Sequence, residues 1–310
     1  MEKLKNSKLL AIIKWVWMGV VLAAVVIYAV RNFANVRDYF QTIPWLRFPL
    51  SMLFIMLAKS LLALVSLISV QNEGWNAPYW KMFSFYNVTQ LGKYLPGGIW
   101  HFVGRFGAYK AENFDTKKSL KAMIAENVWL ISSALVTGFA YLLIFNQAGL
   151  AEYGITLTSG ARWLLVAGIV TVWLAAMLLF QRFFVSTGLR SLKHWAMLMV
   201  LLLIVWILIG FSYALIFPLI QFQSIGLAIG GFALSWSIGY LAVFAPGGLG
   251  VREFMLTLLF AATPYADLSP ILAGVHRMVW LVAEVLLGLT CVTIDSVKKK
   301  KNTSPPLSAE

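Results

Sequence analysis

Residues 195–251 contain no charged side chain. About 20 apolar residues carry a helix across the roughly 30 Å hydrocarbon core of a bilayer, so this run is far too long for one crossing. Pro218 interrupts it, and two helices joined there by a tight hairpin accommodate it. The rest of the composition agrees: 60% of the 310 residues are apolar or aromatic and 12% are charged, against about 45–50% and roughly 25% in soluble domains. The expected fold is an all-α polytopic membrane protein. One cysteine, Cys291, excludes a disulfide within the chain and any CxxC zinc or redox site. His101, His194 and His276 are too scattered for a His-rich metal site, and neither metal nor cofactor is expected.

Seven stretches reach spanning length or nearly so: 9–30, 48–70, 122–145, 163–180, 195–217, 222–244 and 271–294. Lys3, Lys5, Lys8 and Lys14 give the first stretch the look of a signal peptide, but it is as long as a full span and lacks a small-residue cleavage pattern. It reads as a retained anchor. Cytoplasmic loops collect Lys and Arg. Four such residues lie in the N-terminus, seven in 71–121, three in 182–193 and four at 298–301, which is 18 of the 25, whereas 147–160 and the Pro218 hairpin have none. Both termini are therefore expected inside the cell membrane. That requires an even number of crossings, about eight, with the eighth at 246–264 despite Arg252 and Glu253. Segment 79–106 would enter and leave from the cytoplasmic side. Arg31, Arg37 and Arg47 fall on the outer side in this scheme. Residues 1–297 form one transmembrane domain and 298–310 a basic, disordered tail. The net charge of +13 sets orientation and implies no nucleic acid partner.

Both weak segments carry the same triplet. Tyr94-Leu-Pro-Gly-Gly-Ile-Trp-His-Phe-Val-Gly-Arg105 is matched in the second half by Phe244-Ala-Pro-Gly-Gly-Leu-Gly-Val-Arg252-Glu253. An ionisable residue follows at nearly equal distance, Glu126 after Pro96 and Arg277 after Pro246. The chain thus reads as two duplicated, inverted-repeat-like halves, about 48–145 and 195–294. Pro96-Gly97-Gly98 and Pro246-Gly247-Gly248 should break helices, and a broken backbone inside a membrane is tolerated only when buried in protein or lining a wet cavity. Transporters place such breaks in corresponding positions of two repeats, with the freed helix N-termini facing an anionic substrate group. Simple packing kinks are the alternative.

Within the spans lie Lys59, Arg252 and Arg277 against Glu126, Glu253 and Glu284. An unpaired charge near mid-membrane costs about 2.5–3.5 kcal/mol or more, so pairing inside the bundle is expected. Arg277 and Glu284, seven apart, share a helix face. The candidate substrate-binding set is Arg252, Arg277, Glu126, Glu253, Arg105 and Glu284, with Glu126 and Glu253 holding Arg252 and Arg277 when the site is empty. A purely structural salt-bridge network is the alternative. Lys59 ranks lower, as a snorkelling or isolated group. His101 is a packed residue or a proton relay. The aromatics between Trp75 and Phe102 suit an interfacial belt.

PGGLGVRE followed by a helix with Arg277, and GKYLPGGIWHFVGR followed by Glu126, resemble the transmembrane-domain family of lysylphosphatidylglycerol synthetase/flippase proteins over residues 10–293. The resemblance implies a polytopic inner-membrane domain associated with moving aminoacylated phospholipid between leaflets. Full-length members add a soluble synthetase domain; none is expected here, and so neither is lysyl transfer. The leading reading is a flippase-like transporter of an anionic phospholipid or polyprenyl-phosphate-linked amphiphile, with membrane lipids as partners and no catalytic residues. No GxxxxGK[ST] nucleotide motif occurs. The alternatives are an accessory subunit of a glycosyltransferase or other cell-envelope pathway, and a lipid-modifying enzyme using Glu126, Glu253 or His101 as acid or base. Homo-oligomerisation is left open.

Overall fold

The structure is a computed structural model describing residues 16–303 apart from 18, 22, 25, 29, 96–98, 153, 189–191, 243 and 244. The N-terminal lysines, the end of the tail and the first PGG triplet, Pro96-Gly97-Gly98, lie outside the described residues. Among those described, all regular structure is helical. Helices α1 (Gly19–Tyr28) and α2 (Phe33–Thr42) meet at a 75° bend. They are followed by α3 (Arg47–Gln71), α4 (Tyr79–Gln90), α5 (Trp100–Ala111), α6 (Thr116–Phe145), α7 (Gln147–Glu152), α8 (Ser159–Phe183), α9 (Leu192–Ala214), α10 (Phe222–Leu241), α11 (Val251–Phe260) and α12 (Ser269–Thr303).

Helices α3, α6, α8, α9, α10 and α12 are each long and apolar enough to cross a membrane, and the bent α1–α2 pair makes a seventh if it is one span. The protein is a multi-pass membrane protein. Its tail departs from expectation, because helix α12 continues to Thr303. Lysine is a good helix former, which suits a helix running on through this segment.

Helices α3 and α9 pack antiparallel. Arg47, at the start of α3, donates from Nη1 to Phe217 O beyond the end of α9 at 2.7 Å. At the other end, Asn72 O accepts from the Thr187 N–H at 3.2 Å, and Asn72 Oδ1 lies 2.8 Å from His194 Nδ1 at the start of α9. Two further pairs flank this axis, α6 on α10 and α4 on α12. Lipid tails give apolar helices no hydrophobic reason to associate, so close backbone approach must supply the contact. It does at Gly230 of α10, where an added Cβ would lie 2.8 Å from Tyr141 Cβ of α6. Helix α8 packs on α6 and buries only Met177 and Gln181, which leaves its apolar surface to lipid.

Two hairpins complete the bundle. Helices α4 and α5 begin and end together: Lys81 pairs with Glu112 at 2.5 Å, and Trp75 stacks on Phe114 with ring centroids 5.0 Å apart. Their open end lies beside Asn72. Helices α10 and α11 also return to their starting end, where Tyr265 Oη donates to Leu219 O at 3.0 Å. That end lies beside Phe217. The two hairpins therefore enter from opposite ends of the bundle.

This changes the reading of 246–264 as a crossing of its own. Helix α11 has ten residues, about 15 Å at 1.5 Å per residue, which is half the hydrocarbon thickness. The cause is local: Gly247, Gly248 and Gly250 all take positive φ, at 59°, 70° and 82°. Such angles are open to glycine and costly for other residues, so the chain turns back here.

Candidate functional site

The tips of the two hairpins meet inside the bundle. On the second, Pro246–Gly248 form a single tight turn between α10 and α11. Arg277 of α12 donates from Nη2 to Gly247 O at 3.0 Å. On the first, Leu91–Tyr94 form a similar turn after α4. Glu284 of α12 binds this turn, accepting from Lys93 Nζ at 2.5 Å and Tyr94 Oη at 2.6 Å. It also accepts from Lys59 Nζ of α3 at 2.7 Å. Arg277 and Glu284 share a face as expected, but they do not hold each other. Each secures a different tip.

Pairing elsewhere also differs from expectation. Glu126 of α6 accepts from Arg105 Nη1 of α5 at 2.5 Å, not from Arg252 or Arg277. The Arg105 guanidinium also lies over the Tyr86 ring, 4.5 Å from its centroid. Glu253 accepts from the Gly250 N–H at 2.7 Å. It caps α11, where a helix leaves backbone donors unsatisfied and where negative charge offsets the dipole, and this local demand diverts it from the arginines.

Among the described residues Arg252 has no carboxylate within ion-pair distance. Its side chain is buried, and the guanidinium lies 5.4–5.9 Å from the ring centroids of Phe232, Trp236 and Trp280. Among the described residues Nη2 of Arg252 has no hydrogen-bond partner. A buried, unsatisfied donor on a charged group is costly, and such a group is where a ligand acceptor gains most.

A cavity of about 310 Å³ lies between the tips, with Lys59, Lys93, Arg105, Arg252, Glu126 and Glu284 as its charged lining. Tyr86, Tyr240, Trp206, Trp236 and Trp280 supply much of the remaining wall. Tyr240 Oη donates to Asn127 Oδ1 beside Glu126. His101 is buried at the cavity edge with its ring against Phe102. Ile99 and Leu241, about half exposed, line the cavity and put apolar groups at its mouth.

The structure thus brings Arg252, Arg105, Glu126 and Glu284 of the expected set to one cavity, with Gly247 and Gly248 in its wall. Arg277 and Glu253 act from the surrounding shell, and Pro246 is buried in the turn. Sequence reasoning missed Lys93 and Tyr94 and undervalued Lys59. Lys93 was counted with the cytoplasmic loops, as was Arg105, because 79–106 was treated as one segment for charge counting. The available signal was position: Lys93 lies three residues before Pro96, at the tip of a segment already expected to re-enter.

No protein-family model matches this chain, and no curated protein sequence matches it.

Proposed function

We propose that the protein is a flippase-like transporter that binds an anionic lipid or polyprenyl-phosphate-linked amphiphile between two re-entrant hairpins in the cell membrane. The observation that carries this reading is Arg252, buried in the cavity wall with an unsatisfied donor. The resemblance to the lysylphosphatidylglycerol synthetase/flippase transmembrane domain points the same way. So does the apolar mouth at Ile99 and Leu241, which suits a ligand with acyl or prenyl chains.

In this reading the headgroup accepts hydrogen bonds from Arg252 and draws Lys93 away from Glu284. Helix α5 begins next to the first tip, so its positive dipole end adds to the attraction for an anion. The chain crosses with α1–α2, α3, α6, α8, α9 and α12, while α4–α5 and α10–α11 enter and return. Six crossings are even in number and keep both termini in the cytoplasm. Rocking of one half, about 48–145, against the other, about 195–294, then exposes the site to each leaflet in turn.

Proteoliposomes carrying fluorescent phosphatidylglycerol in both leaflets test this with a membrane-impermeant quencher. Wild type is expected to make the inner-leaflet probe accessible, and Arg252→Ala to abolish this while retaining insertion and melting temperature. Equal transport by Arg252→Ala overturns the assignment of the site. Absence of transport for every anionic lipid, with co-purification of an envelope glycosyltransferase, favours the accessory reading.

A further inference from the structure

Resting on the proposed transport reading, we infer that the cavity selects a headgroup bearing a dianionic phosphate, a phosphomonoester or diphosphate, over a monoanionic phosphodiester, and rejects a cationic aminoacyl headgroup. The inference comes from the charge count at the site. Four cations line the cavity, Lys59, Lys93, Arg105 and Arg252, against two carboxylates, Glu126 and Glu284. Adding the shell, Arg277 and the capping Glu253, adds one charge of each sign. Either way, among the described residues, basic side chains outnumber acidic ones by two. Sequence alone concealed this, because the six charges within the expected spans balance.

Where those charges sit matters as much as their number. Glu126 is occupied by Arg105 at 2.5 Å. Glu284 is shared by two lysines and a tyrosine, so it leaves one lysine uncompensated. Among the described residues Arg252 makes no ion pair with a carboxylate, and the residue is 7% exposed. The two excess charges therefore reside at the Lys59–Lys93 pair and at Arg252, on the two sides of the cavity. A group with one negative charge can neutralise one of them. A phosphate with two neutralises both, and its three terminal oxygens match the fork of an arginine together with an ammonium. In a poorly hydrated interior a residual charge is expensive, so the difference separates ligands. A headgroup that carries an amine adds positive charge to a cationic cavity.

The same chemistry is offered by a lipid headgroup and by free phosphate. Native mass spectrometry of the detergent-purified full chain distinguishes them, titrating separately with phosphatidic acid, phosphatidylglycerol, lysylphosphatidylglycerol and inorganic phosphate. At pH 8, phosphatidic acid is expected to bind about tenfold more tightly than phosphatidylglycerol, which corresponds to one such charge contact. Lysylphosphatidylglycerol is expected not to bind. As pH falls through about 6, a phosphomonoester regains its second proton, so the preference is present above that pH and lost below it. Besides the carboxylates already named, the titratable groups lining the cavity or packed against Arg252 are Lys59, Lys93, His101, His276, Tyr86 and Tyr240. Phosphatidylglycerol has no second proton to gain, so its own pH profile reports them separately.

Arg252→Gln is expected to bring the ratio of the two lipids close to one, and Arg252→Lys, which keeps the charge, to retain most of the preference. A ratio near one in wild type, or one independent of pH, overturns the dianion assignment. If phosphatidylglycerol is nevertheless transported in proteoliposomes, the transport reading survives that failure. A strong preference for phosphatidic acid without movement of any lipid does the reverse. Inorganic phosphate competing at equal affinity supports the dianion site and assigns it to the free ion.

Discussion

Glu284 shows how one carboxylate can be forced to serve several masters in a bilayer interior. It is fully buried and accepts from Lys59, Lys93 and Tyr94, groups drawn from α3 and from the turn after α4. Removing the charge leaves two ammonium groups without their counter-ion. Breaking a buried pair this way typically costs about 3–5 kcal/mol. Glu284→Gln is therefore expected to lower thermal stability in detergent by that order, and Glu112→Gln, whose ion pair with Lys81 is partly exposed, by less than about 1 kcal/mol. Similar losses for both would contradict the picture of Glu284 as the centre of the network. The sequence identified Glu284 as buried and charged, because it lies within a strongly apolar stretch. Its partners were not legible: Lys59 and Lys93 are 225 and 191 residues away along the chain, and no spacing rule connects them.

The helices themselves were largely legible, because a spanning segment must be both long and apolar and few sequences meet those conditions by accident. Ranges 48–70, 122–145, 163–180 and 195–217 fall within α3, α6, α8 and nearly within α9. The short helices were harder. Helices α4, α5 and α11 have ten or twelve residues and carry polar groups, so hydropathy alone could not say whether such segments cross or return. For α11 the informative feature is backbone conformation: the left-handed glycines after Pro246 turn the chain back. Helix contact is also set by small residues. Gly230→Leu is expected to force α10 away from α6, since its side chain would enter space occupied by Tyr141. Overpacking of this kind costs about 1–3 kcal/mol. A cysteine pair placed across the α6–α10 contact in the Cys291→Ser background should lose its crosslinking in the variant, whereas one across α3–α9 should keep it.

At the scale of the molecule, the opposed hairpins make a directional prediction. Single cysteines in the Cys291→Ser background at Asn113 and Ser186 are expected to react with an impermeant thiol reagent from one side of the membrane. Those at Leu219 and Asp267 should react only from the other. All four positions are exposed at the bundle ends. Labelling of Asp267→Cys from the same side as Asn113→Cys would overturn the opposed arrangement. The excess of Lys and Arg fixes which side is which only through bilayer asymmetry, and Arg31, Arg37 and Arg47 oppose that bias, so labelling in intact cells is the decisive form of the experiment.

Helix α12 has a mechanical consequence for this arrangement. It holds the second tip through Arg277 and the first through Glu284, two turns further along the same face. Rotation of α12 about its own axis would carry both side chains away together, whereas neither tip can be released by that motion while the other stays fastened. The two hairpins are thus geared to one shaft.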